Sequence, residues 1–203
     1  MPPRGRRPGG ASQARLLRQQ EILDASEELF FERSFDGTSI ATIAEKAQIA
    51  PSGIYRYFSG KDEILAGLID RATDEVLEMV GPPLPDPRAE LNALVTAHIQ
   101  FALTHPRLAD IWQREHHILR DDRRVSFERR PLRYIERWIA CLDICYPGHP
   151  RGDLVTVVRA AHALMTSDTT RRTGSIQSAQ LADLLHSLVV WSMQALTNEP
   201  PPR

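Results

Sequence analysis

Read for its hydrophobic period, the chain is helical almost throughout. Ile22, Leu23, Ser26, Leu29 and Phe30 recur at the i, i+3/i+4, i+7 spacing of one buried stripe, which ends near Phe35-Asp36-Gly37. Thr38 or Ser39 can then cap a short second helix, with Ile40, Ile43, Ala44 and Ala47 on its inner face. Pro51 suits the first turn of a third helix, predicted to run to about Phe58, where Ser59-Gly60 breaks it. Lys61 to about Val80 reads as a longer fourth helix. Gly81-Pro82-Pro83-Leu84-Pro85-Asp86-Pro87 is unable to form helix and makes a linker or elbow. Helices follow at about 88–104, 107–119, 121–146, 151–171 and 178–197, punctuated by His105-Pro106, Pro147-Gly148-His149-Pro150 and Gly174-Ser175. No sustained period-2 run competes with them. The pattern predicts an all-α fold of about nine helices.

Composition adds bounds. At 203 residues, 42% hydrophobic and 25% charged, the chain is of ordinary globular type, long enough for one medium domain or two small ones. No apolar run approaches the roughly 18 residues of a membrane-spanning helix, and the N-terminus lacks the apolar stretch of a signal peptide. Cys141 and Cys145 are the only cysteines, too few for a disulfide framework, so cytoplasm is the default compartment. Charge changes the picture more. Residues 1–20 hold Arg4, Arg6, Arg7, Arg15 and Arg18 and no acid, while the remaining residues carry a net −6. A basic arm on an acidic body suits contact with a polyanion at one end, and is also a plain solubility feature.

Residues 39–58 lay out a helix, a tight turn and a short helix. Ile54 and Phe58 share the inner face of the third helix, and Ser52, Tyr55 and Arg56 fall largely elsewhere. Tyr55-Arg56-Tyr57 is more hydrogen-bonding capacity than a compact core uses, and it matches what reaches phosphates and base edges in a duplex. The other reading of the same residues is an amphipathic core helix with aromatic anchors.

Residues 36–65 resemble the N-terminal signature of the tetracycline-repressor (TetR) family of bacterial transcription regulators. The matching positions are Gly37-x-Ser39, Ile43-Ala44, Ala47-x-Ile49, Ile54-Tyr55-x-Tyr57-Phe58 and Lys61-x-Glu63-x-Leu65. The resemblance covers about residues 17–68, and beyond them only helix number and length. Gln48 stands where a turn glycine is common, and Gly53 where the recognition helix usually carries a side chain. The resemblance implies three segments: a basic flexible arm at 1–16, a helix-turn-helix head at 17–68, and an effector-binding and dimerisation domain at 69–203. It further implies that Thr38 and Ser39 hold phosphates, and that Pro51, Ser52, Gly53 and Tyr55 approach base edges. Tyr57 and Lys61 would grip the DNA backbone, Arg56 could do either, and Arg4, Arg6 and Arg7 would lie along or inside a minor groove. Double-stranded operator DNA, a second copy of the chain and a small effector are the implied partners. No membrane contact and no cofactor are implied.

In the C-terminal two-thirds, Leu154, Val158, Ala161 and Met165 make an apolar face on one helix, with Val157 and Leu164 beside them. Leu181, Leu185, Leu188, Ser192 and Ala195 do so on the last helix, flanked by Leu184 and Trp191. Two such helices predict a four-helix interface between subunits. For a mainly apolar effector pocket the candidates are His98, Phe101, Ile111, Trp112, Glu115, His116, Tyr134, Trp138 and His162, each also readable as ordinary core. Pro131, inside the predicted 121–146 helix, would kink it, which either opens a cavity or is a harmless bend. Trp112–Trp138 resembles the segment of actinobacterial members of the family that sense acyl-CoA thioesters. On that resemblance Arg120, Arg123, Arg124, Arg129, Arg130 and Arg133 would partner phosphates; a salt-bridged surface explains them equally.

An enzyme is disfavoured, because Gly60-Lys61 lacks the glycine of a phosphate loop (Tyr55 stands there) and no G-x-G-x-x-G, H-E-x-x-H or G-x-S-x-G occurs. Adjacent His116 and His117 on a helix diverge by about 100° and poorly share a metal ion. Cys141 and Cys145 read as core. A helical adaptor that binds only protein leaves the arginine arm and Tyr55-Arg56-Tyr57 without a role. The residues point to a DNA-binding protein that forms dimers, and the resemblance implies a regulator, most simply a repressor released by its ligand.

Overall fold

The computed structural model describes residues 9–115, 129–167 and 180–197. Among them the regular elements are all helices: α1 (Gly9–Arg33), α2 (Ile40–Lys46), α3 (Pro51–Ile54), α4 (Lys61–Val80), α5 (Pro87–Thr104), α6 (Pro106–Glu115), α7 (Arg129–Cys145), α8 (Arg151–Thr166) and α9 (Leu181–Met193). A 3₁₀ turn at Gln194–Leu196 follows α9. No helix among the described residues is long and apolar enough to cross a membrane. The chain forms two compact units, residues 1–68 and 69–203, and the division falls within α4.

The first unit buries the stripe read from the sequence. Ile22, Phe30, Ile43, Ala44, Ile54, Ile64 and Leu65 are fully enclosed, and Leu29 and Phe58 nearly so. Ser26 joins this core because its hydroxyl donates to the Ile22 carbonyl at 2.7 Å, which removes the penalty of burying it. α1 ends where Ser34 turns to the left-handed region at φ 63°. α1 starts at Gly9, so residues 9–16, expected to be a flexible arm, are helical.

In the second unit α5 is the central helix and packs against α6, α7, α8 and α9. Its buried residues, including Leu94, Val95, Phe101 and Ala102, occupy more than one face. The elbow before it is held by specific bonds. Gly81 takes φ +70°, a conformation that glycine adopts without steric strain. Arg137 of α7 donates to the Gly81 carbonyl at 2.8 Å and to the Glu90 carboxylate, which also accepts from the Leu84 N–H at 2.8 Å. Burial pushes the Glu90 carboxyl up, but the bonds from Arg137 and Leu84 and the Arg137 charge outweigh it and leave it below the usual range. Asp86 caps α5, accepting from the Arg88 and Ala89 N–H groups, and Pro87 opens the helix. The buried Cys141 thiol donates to the Pro87 carbonyl at 2.8 Å, and burial pushes it up to about 12, so it is a packing group.

Candidate DNA-binding head and ligand cavity

The turn into α2 is built without slack. A Cβ on Gly37 would lie 2.1 Å from the Arg33 carbonyl oxygen, so only glycine fits there. Thr38 is 2% exposed, its hydroxyl donates to the Ser34 carbonyl at 2.9 Å, and its N–H donates to Phe35 at 3.2 Å. The expectation that the Thr38 hydroxyl holds a phosphate is therefore corrected: the group is committed inside the head. Ser39 is exposed and is the N-cap of α2, its Oγ accepting from the Thr42 N–H at 3.1 Å. Lys61 also departs from expectation. Its Nζ donates to the Phe35 and Thr38 carbonyls at 2.6 and 2.9 Å and lies 4.0 Å from the centroid of the Phe35 ring. Two of its three protons are spent on clasping the turn, and not on a duplex.

Gln48, where a glycine was missed, takes φ 55° and makes the turn nonetheless. The Ile49 N–H donates to the Ala44 carbonyl at 2.9 Å and the Gln48 N–H to Glu45 at 3.1 Å. That pairing of bonds is a Schellman motif, and it ends α2 at Ala47 and aims the chain into α3. The third helix is shorter than predicted, four residues from Pro51 to Ile54. Bonds from the Arg56 N–H to the Gly53 carbonyl and from the Tyr57 N–H to the Ile54 carbonyl tighten its end into 3₁₀ geometry. The helix is weak to begin with, because Gly53 is a poor helix residue and the N-cap, Ala50, has no side-chain acceptor. Pro51, Ser52, Tyr55 and Arg56 remain exposed, Tyr55 at 59%. Gly53 and Tyr57 are half-buried, and the Arg15 guanidinium lies 5.8 Å from the Tyr57 ring centroid. Arg4, Arg6 and Arg7 lie outside the described residues.

The second unit encloses a cavity of about 630 Å³. His98, Trp112 and His162, three of the expected pocket residues, line it. His98 and His162 stack, with ring centroids 4.3 Å apart and planes 6° from parallel. Trp112 faces both rings, at 6.0 and 6.4 Å. His98 shares a 2.8 Å hydrogen bond between its Nδ1 and the Tyr134 hydroxyl. Burial pushes the His98 imidazolium down to about 3, so the ring is neutral at ordinary pH, and burial pushes the Tyr134 phenol up.

Other expected pocket residues stand elsewhere. Tyr134 and Trp138 are fully buried behind the imidazoles and do not line the cavity; Trp138 meets His162 edge-on at 5.2 Å. Phe101 and Ile111 are core, and Glu115 is buried beside Arg114 at 3.5 Å. His116 lies outside the described residues, as do Arg120, Arg123 and Arg124. Pro131 stands in the first turn of the described α7 and lines the cavity, so it sits where a missing N–H is tolerated. Leu132, Ile135 and Ile139 of α7, and Val155, Val158 and Arg159 of α8, were not anticipated as lining. For the α7 residues a signal was available as a second apolar stripe, about a quarter turn round the helix from Tyr134, Trp138 and Leu142.

The residues expected at a subunit interface divide as well. Leu154, Val158, Ala161, Met165 and Leu185 are buried within the unit, and Leu181 and Ser192 are half-buried. Val158 is the clearest correction, since it faces the cavity. Leu188 is 51% exposed and shares an uncovered stripe of α9 with Leu184 at 50% and Trp191 at 70%.

Residues 22–68 match the family described as bacterial regulatory proteins, tetR family. The chain is 31% identical over 132 residues to the HTH-type transcriptional regulator HbdR of Aromatoleum sp. (strain CIB), covering 61% of this chain and 57% of that one. The curated relatives are matched over 29–57% of their own length. Among solved structures, a TetR-like transcriptional regulator from Rhodococcus sp. RHA1 is 27% identical with TM-score 0.62, covering 90% of this chain and 97% of that one. AibR in complex with isovaleryl coenzyme A and operator DNA has the same fold, with TM-score 0.65 at 19% identity over 84% of this chain and 97% of that one. A head that folds as helix, Schellman turn and short helix under the matched residues 22–68, followed by a second unit whose regular elements among the described residues are all helices, is similar to the tetR family of bacterial regulatory proteins.

Proposed function

We propose that the protein is a sequence-specific DNA-binding transcription regulator and not an enzyme. In this reading it is a homodimer that occupies a near-palindromic operator and leaves it when a small, mainly apolar effector fills the cavity. The observation that carries the reading is the exposed surface of α3 and its following turn. Pro51 and Ser52 on the short helix, and Tyr55 and Arg56 on the turn after it, are exposed, whereas the inner residue Ile54 is fully buried. Such a helix presents its outer side chains to base edges in a major groove, with Arg56 able to address guanine O6 and N7. In this reading Ser39, which is exposed, and Tyr57, which is half-buried, meet the DNA backbone.

The regulatory half is supported by the cavity, whose size is in the range of small-molecule sites. AibR, a neighbour in fold, is described with both a coenzyme A thioester and operator DNA. An effector that binds the DNA-incompetent state better by about 1–3 kcal/mol lowers DNA affinity roughly 5–150-fold. Titration of the chain's own upstream DNA in a fluorescence anisotropy assay tests the reading. Saturable binding at least about a hundredfold tighter than to scrambled DNA is expected. Equal affinity for the two overturns it in favour of a protein-binding adaptor.

A further inference from the structure

We infer that the cavity takes an amphipathic organic anion, a compact apolar body with a single carboxylate or phosphate head, and that Arg159 receives the head. The inference rests on the reading of this cavity as the effector site. Exposure divides the wall in two. His98, Ala109, Ile139, Val158, His162 and Thr166 are buried and form the inner floor. Leu132, Glu136, Arg151 and Arg159 are exposed and mark the mouth.

The floor is mainly aliphatic and aromatic; the Thr166 hydroxyl is bonded to the His162 carbonyl at 2.8 Å, and the His98 ring is held neutral with its Nδ1 already bonded to Tyr134. It offers an apolar body a place to bury and carries no acidic, lysine or arginine side chain to meet an ionic head. The mouth differs. Arg151 is hydrogen-bonded to the Glu136 carboxylate, so these two opposite charges answer each other. Arg159 lines the same mouth two turns further along α8, and no acid pairs with it among the described residues. A guanidinium at the rim of an apolar cavity presents a planar fork that fits a carboxylate or phosphate with two parallel bonds. A neutral head leaves the fork facing water, and a cationic head is repelled by it. The chemistry selects the sign of the ligand's charge at the rim and its shape at the floor.

Isothermal titration of the full chain with octanoate, octanoyl-CoA, 1-octanol and octylammonium tests this. The first two carry the anion as carboxylate or as phosphates and tell the two sources apart. At least one of them is expected to bind roughly tenfold tighter than 1-octanol, with octylammonium weakest. Arg159→Gln should erase the difference and Arg159→Lys retain part of it; the position is solvent-facing, and a thermal melt checks that the fold is kept. Equal binding of 1-octanol, or an anion preference that survives Arg159→Gln, overturns the inference and leaves the cavity reading standing. No binding by any of the four also overturns it, while the effector reading keeps its separate test, ligand-driven release from DNA.

Discussion

Lys61 shows how a single side chain changes role once its surroundings are known. Its charge and its place at the start of a helix suggested a phosphate contact, yet its ammonium is bonded to two carbonyls of the turn before α2. Hydrogen bonds from a charged donor contribute about 1.5–3 kcal/mol, and Lys61→Met leaves both carbonyls to water or to nothing. The variant should lower the head's stability by about 1–2 kcal/mol in urea unfolding. Unchanged stability with a salt slope of DNA binding reduced by about one would restore the phosphate role. His98 makes a second residue-level prediction. Its folded-state value is depressed to about 3 from the ordinary 6.5, so the neutral ring is what the fold stabilises. That stability is complete above about pH 6.5 and is lost as pH falls toward 3, by up to about 1.4 kcal/mol per pH unit. Glu90, also depressed, acts in the same direction but only below its ordinary 4.5, so measurements between pH 6.5 and 5 isolate the histidine from it. Thermal melts across that window should show a steeper decline than in His98→Gln, and matching slopes would remove His98 as the cause.

At the scale of the element, glycine positions separate what the sequence could tell from what it could not. Gly37 and Gly53 look alike on the page, but a Cβ at Gly37 strikes the Arg33 carbonyl, and a Cβ at Gly53 lies 3.7 Å from the Ile49 side chain. Gly37→Ala should cost about 2 kcal/mol or more, whereas Gly53→Ala should stabilise the head by up to about 1 kcal/mol through helix propensity. Gln48→Gly should add about 1 kcal/mol by relieving a left-handed residue that carries a side chain. Chemical denaturation of the three variants orders them; a destabilised Gln48→Gly would show that the glutamine side chain has a role of its own. The helices themselves were legible because periodicity reports burial directly, as Ile22, Leu29 and Phe30 or Leu94 and Phe101 do. The length of α3 was not, since a run from Pro51 to Phe58 keeps its inner residues in register whether it is α or 3₁₀ at the end. Pocket residues were half legible for a related reason. Large aromatics announce burial, but Tyr134 and Trp138 are buried behind the cavity, and smaller aliphatics such as Ile135 and Val155 line it. Lining depends on what is missing across from a side chain, and spacing along one helix carries no such information.

For the whole molecule the decisive quantity is how many heads meet one operator. In the proposed reading a head with a four-residue α3 meets few base pairs, and a second head at a fixed spacing multiplies affinity by effective concentration, about 10²–10⁴ in ordinary cases. The proposed dimer therefore needs an interface, and the uncovered stripe of α9 is the surface suited to it. Leu184, Leu188 and Trp191 recur at i, i+4 and i+7, and each is at least half exposed although large and apolar. On α8, Val157 and Leu164 are half-buried and Ala160 and Ala163 exposed, so the two helices of each copy could bury these faces together. The residues chosen from sequence for this role were mostly the inward halves of the same helices, because an element that is apolar on two faces does not say which face is which. Leu188→Asp combined with Trp191→Asp places two charges in such an interface while touching nothing in the subunit core. Light scattering should then report a monomer, the thermal melt of the first unit should stay where it was, and operator affinity should fall by about 10²-fold or more. If the double variant remains a dimer with full affinity, the copies meet through another surface; if it becomes a monomer and affinity holds, one head alone reads the site.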